Sequence, residues 1–85
     1  MESLVLYRKL VEITAAYLGP SADRFISRQI VSHLNKSPEK LIPSDLEKLI
    51  VWLKPAMAII TEDEHIVDSY ITKLNSLSSN FDRNS

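Results

Sequence analysis

Residues 44–60, SDLEKLIVWLKPAMAII, decide the fold. Leu46, Leu49, Ile50, Leu53, Met57 and Ile60 recur at threes and fours, the repeat of one helical face. Ser44-Asp45-Leu46-Glu47 has the capping-box form, with a hydroxyl at the cap and a carboxylate three positions later. Pro55 lacks an N–H and crowds the preceding turn, so a helix must stop or kink there. The apolar stripe stays in phase through Met57 and Ile60 while Pro55 projects on the opposite side. That pattern favours one helix kinked at Pro55.

The same stretch holds more apolar surface than one face accounts for. From Leu49 to Ile60 only Lys54 and Pro55 interrupt the apolar positions. A helix apolar all round must be buried all round. Leu49, Ile50, Leu53, Met57 and Ile60 supply an inner face. Trp52 and Ile59, seven apart, form a second row, and Val51 and Ala58 lie on a third side. A chain of 85 residues buries only about 60% of its unfolded surface. Val51, Trp52, Pro55 and Ile59 are therefore expected to form a dimer or partner interface, where tryptophan anchors are enriched. The alternative is that the first and fourth helices wrap this segment and Trp52 completes a monomer core.

Three further helices follow from the same repeat. Glu2 to Leu18 carries Leu6, Leu10, Ile13 and Tyr17, flanked by Tyr7, Val11, Thr14 and Leu18. Gly19 stands where a left-handed residue ends a helix, and Pro20 opens the next. The second helix runs from Pro20 or Ser21 to Leu34, with Ala22, Phe25, Ile26, Ile30 and Leu34 inward. The connection from Asn35 to Pro43 starts a single turn at Ser37-Pro38-Glu39 and is pinned to the core by Leu41-Ile42. The fourth helix opens with a second capping box, Thr61-Glu62-Asp63-Glu64, and continues to Leu77. Its stripe is Ile66, Val67, Tyr70, Ile71, Leu74 and Leu77. The fold class is all-α, a compact four-helix bundle spanning residues 1–77. Residues 78–85 are read as a flexible polar tail.

Composition narrows the function. The chain is 45% hydrophobic and 25% charged, with a net charge of −1, within the ordinary globular range. Its ten basic residues are dispersed, unlike the concentrated basic face of a nucleic-acid binder. There is no cysteine, which removes disulfides, thiolate metal sites and thiol nucleophiles. The scarcity of glycine, a single residue, argues against hairpin-built sheet. Met1-Glu2-Ser3 lacks the basic and apolar regions of a signal peptide. The longest apolar segment falls short of the about 20 residues that cross a bilayer. A cytoplasmic chain is expected, with no membrane span.

His33 falls near the apolar stripe of the second helix and His65 on the polar face of the fourth, with no nucleophile or orienting carboxylate placed beside either. No catalytic residue, cofactor, metal or small-molecule substrate is assigned. Glu62, Asp63, Glu64 and Asp68 lack the alternating ligands and central glycine of a calcium loop. The helix dipole explains carboxylates in a first turn, although Glu64 and Asp68, four apart, repel, and a basic partner would relieve this. Arg24 and Arg28, one turn apart, can clamp an anion or an acidic partner, or simply solvate an outer face. A helix-turn-helix reader would have Arg24, Arg28, Gln29 and His33 as its polar groups, which makes a small nucleic-acid-binding regulator the alternative function.

Residues 10–29, LVEITAAYLGPSADRFISRQ, carry the junction Leu18-Gly19-Pro20-Ser21-Ala22. This Leu-Gly-Pro-x-Ala segment resembles small helical domains of unknown activity at the C-termini of bacterial signalling proteins, including serine/threonine kinases and response regulators. The 85 residues hold no kinase or receiver domain themselves. The resemblance implies a regulatory or adaptor role in bacterial signalling and transfers no catalytic residue. The expectation is a non-enzymatic protein–protein interaction module that self-associates as a homodimer.

Overall fold

The computed structural model describes residues 2–83, with side chains from Val5 to Asn80. Four α-helices follow one another: α1 (Glu2–Leu18), α2 (Ala22–Leu34), α3 (Pro43–Ile60) and α4 (Glu64–Arg83). Short 3-10 turns at Gly19–Ser21 and Pro38–Lys40 join α1 to α2 and α2 to α3. Among the described residues there is no strand. The fold is the all-α bundle that the three-and-four repeat demands.

The helices pack in a ring, α1 on α2, α2 on α3, α3 on α4 and α4 back on α1. This places α3 at the corner opposite α1, with α2 and α4 as its flanks. The core is drawn from every element: Leu6 and Leu10, Ile26 and Ile30, Leu41, Leu46, Leu49, Leu53 and Met57, and Val67, Tyr70, Leu74 and Leu77. The radius of gyration, 11.9 Å, is the about 12 Å expected of a compact chain of this length. No helix of the described residues is long and apolar enough to cross a membrane.

Helix boundaries follow local chemistry, with some departures from expectation. Gly19 has φ +65, the left-handed conformation that ends α1 without a Cβ penalty. Asn35, also left-handed at φ 53, ends α2, as asparagine tolerates this region. The start of α3 corrects the Ser44/Glu47 capping box. The helix begins at Pro43, and the Asp45 carboxylate accepts the Ile42 N–H at 3.2 Å. The same oxygen pairs with the Lys36 ammonium at 2.5 Å. Proline in a first turn needs no donor, so the cap shifts upstream by two residues.

At the start of α4 the capping residue is Asp63, not Thr61. Its carboxylate accepts the His65 N–H at 2.9 Å, and the Thr61 hydroxyl accepts the Asp63 N–H at 3.2 Å. Past Leu77, α4 continues to Arg83, and Ser78 is buried. Serine and asparagine are indifferent helix formers, but Leu74 and Leu77 anchor these turns to the bundle, and packing outweighs propensity. Asn84 and Ser85, also read as tail, lie outside the described residues.

Through Pro55, α3 is continuous. Proline removes the donor that would meet the carbonyl four residues earlier, so the Val51 carbonyl has no i+4 N–H. Three apolar residues assigned inward are partly exposed instead: Ile42, Ile60 and Ile66. Each stands within three residues of a helix end, where the neighbouring helices no longer cover the full circumference.

Candidate protein-interaction face

The inner stripe of α3, Leu46, Leu49, Leu53 and Met57, is buried, and Ile50 packs against it. Its flanks are covered by α2 and α4. That leaves the outer surface, where Val51 is 68% exposed, Trp52 47% and Ile59 85%. Pro55 and Ala58 on the same side are exposed as well. The helix is apolar all round but buried on one side only, because its two neighbours, α2 and α4, cannot encircle it. Large apolar side chains grouped on one outward face, rather than scattered singly, mark an interaction surface.

Trp52 is held in place by its own chain on one side. The His33 ring of α2 stacks on the indole, with centroids 4.2 Å apart and planes within 4°. Such stacking contributes about 0.5–1.5 kcal/mol beyond the area it covers. It fixes the indole rotamer and leaves roughly the other half of the ring facing solvent. The Trp52 row was legible from the sequence, but its stacking partner was not. His33 and Trp52 are distant in the chain, and only the packing of α2 on α3 brings them together.

The Arg24/Arg28 pair lies on the outer side of α2, and both side chains are exposed. They line a cleft whose floor is Leu18, Phe25 and Ile60. Gln29 lines the same cleft, and its Oε1 is shielded from solvent without a hydrogen-bond partner. His33 stacks on Trp52 at the middle of α3 while Phe25 shares a cleft with Ile60 at its C-terminal end, so α2 and α3 run antiparallel.

On the opposite flank, Glu64 and Asp68 line a second cleft with Lys54, Pro55, Ala58 and Val67. Glu62 and Asp63 are exposed in the preceding link, and Asp63 is engaged as the α4 cap. The four acidic residues are thus divided: Asp63 caps, Glu64 and Asp68 face the α3 flank, and Glu62 stays in the exposed link. Among the described residues no group of three or more histidines, cysteines and carboxylates is placed to hold a metal ion. His65 is exposed, and His33 is committed to the indole.

The polar groups that are buried join helices. The Thr14 hydroxyl donates to the Leu10 carbonyl at 2.8 Å and meets the Tyr70 hydroxyl at 2.7 Å. Threonine has one proton to give, so Tyr70 is the donor to Thr14. Burial pushes the Tyr70 phenol up to about 12. Tyr7 is raised as well, first by burial and then by its hydrogen bond to Asp23, whereas the hydrogen bond between Tyr17 and Ser69 lowers Tyr17. Tyr17 packs edge-on to Tyr70 at 5.3 Å, and the Lys73 ammonium lies 5.1 Å from the Tyr17 ring centre. The Thr14–Tyr70, Tyr17–Tyr70 and Tyr17–Lys73 contacts tie α1 to α4, and Tyr7–Asp23 ties α1 to α2.

The fold and this face together define a class, a four-helix bundle with an outward apolar ridge between one basic and one acidic flank. Comparison with protein-family models, with curated proteins and with solved structures finds no match.

Proposed function

We propose that this chain is a non-enzymatic protein–protein interaction module that self-associates through the outer face of α3. The observation that carries this reading is the joint exposure of Val51, Trp52, Pro55 and Ile59 on the outer side of α3. Covering a half-exposed tryptophan and two largely exposed aliphatic side chains removes apolar surface from water at about 25 cal/mol per Å². A rotamer already fixed by His33 lowers the ordering cost of association. The Leu18-Gly19-Pro20-Ser21-Ala22 junction adds a setting, an adaptor or regulator in bacterial signalling, with the cytoplasm as its compartment.

The nucleic-acid alternative draws less support. Of its four polar reading groups, His33 is stacked on Trp52 and Gln29 is partly buried. Arg24 and Arg28 alone give a weak counterion-release term.

Sedimentation equilibrium over a wide concentration range tests the proposal. Wild type is expected to dimerise, and Trp52→Glu to remain monomeric with unchanged helicity. A wild-type monomer at every concentration would overturn self-association.

A further inference from the structure

The two flanks of α3 carry opposite charge in matching form. On the α2 side, Arg24 and Arg28 stand one turn apart beside Ile60. On the α4 side, Glu64 and Asp68 stand one turn apart beside Pro55 and Ala58. Each pair is spaced by about 6 Å along its helix, and both lie along the C-terminal half of α3. Among the described residues none of these four side chains forms an ion pair, the one ion pair there being Lys36–Asp45. Across the face the order is therefore cationic, apolar, anionic.

We infer that this face takes a second copy of the chain, related by a two-fold axis parallel to α3, so that Arg24 and Arg28 of each copy face Glu64 and Asp68 of the partner subunit. The inference rests on the self-association proposed above and specifies its geometry. A two-fold contact uses the same patch on both subunits. An axis running along α3 exchanges left for right and sets each cationic flank against an anionic one. An axis lying across α3 keeps left on left, and would bring four guanidinium groups together on one side and four carboxylates on the other. Charge order thus selects the parallel arrangement of the two α3 helices.

The apolar seam agrees with that arrangement. Trp52 and Ile59 are seven apart with Pro55 between them, the spacing of one heptad seam in a parallel helix pair. Lys48, seven before Pro55, ends the seam, and its long stem can carry the ammonium outward to water. Lys54 shares the cleft with Glu64 and Asp68, tempering the anionic flank without reversing it.

Charge reversal tests the pairing. The full chain is compared as wild type, Arg24→Glu/Arg28→Glu, Glu64→Lys/Asp68→Lys, and an equal mixture of the two variants. Circular dichroism checks the fold of each, and sedimentation reads association. Each variant alone is expected to dimerise at least about tenfold more weakly than wild type, because like charges then meet on both flanks. The mixture is expected to recover wild-type affinity to within about threefold, since both flanks become complementary. Added salt is expected to weaken the wild-type dimer.

A second measurement reads the axis directly. The chain has no cysteine, so Lys48→Cys supplies a lone thiol. In the parallel pair a short bifunctional thiol reagent links this position to itself, and in an antiparallel pair it does not. If wild type dimerises and Trp52→Glu abolishes this, yet charge reversal leaves affinity unchanged or the thiols fail to link, the parallel pairing is overturned and self-association stands. If wild type is monomeric, or the cleft takes only an acidic peptide or nucleic acid, both fall.

Discussion

Asp45 shows how much a single side chain can organise. Its carboxylate caps the first turn of α3 through the Ile42 N–H and also receives the Lys36 ammonium from the end of the connection after α2. It is itself buried, so the ion pair is less screened than a surface one. Asp45→Ala is expected to lower stability by about 1–2 kcal/mol, the range for a lost helix cap. A drop in the urea midpoint with an unchanged denaturant slope would show this. The residue stands within the 44–60 stretch, but the capping-box pattern there points to Ser44 and Glu47. Pro43, tolerated in a first turn, starts the helix earlier, so the Asp45 carboxylate serves the cap in place of the Ser44 hydroxyl.

At the scale of the element, α3 carries both the core and the proposed interface. Pro55 sits on its outer side and costs the helix the hydrogen bond to the Val51 carbonyl. Pro55→Ala is expected to raise the stability of the monomer by about 1–2 kcal/mol, because the recovered hydrogen bond exceeds the added freedom of the unfolded chain. Thermal unfolding at concentrations too low for association measures this. The continuity of α3 through Pro55 was legible from the phase of its stripe. The partial exposure of Ile60 was not, since periodicity assigns a face and cannot say how far the neighbouring helices extend along it.

For the whole molecule, the Thr14–Tyr70 contact links the first helix to the last. Burial raises the Tyr70 phenol to about 12, against an ordinary value of 10.0. Its folded-state pKa is the higher one, so its contribution is complete below pH 10 and is lost as pH rises toward 12. The loss amounts to roughly 2–3 kcal/mol at the upper end. Tyr7, raised as well, acts in the same direction. Urea midpoints measured across this interval are expected to fall steeply for wild type and more gently for Tyr70→Phe. Equal slopes would show that another group carries the alkaline transition.

Much of the molecule is determined locally. The repeat of apolar residues, Gly19-Pro20 between the first two helices, and the scarcity of glycine are enough for four helices and their inner faces, because helical periodicity and backbone stereochemistry act within a few residues. The surplus of apolar positions around Trp52 is local too. What only the tertiary structure decided is what stands beside that surplus: the His33 ring on the indole, Arg24 and Arg28 on one flank, Glu64 and Asp68 on the other. These juxtapositions depend on which helices are neighbours and on how they are oriented. Both are set by the global burial of apolar surface around one small core, a sum over the whole chain that no short segment contains.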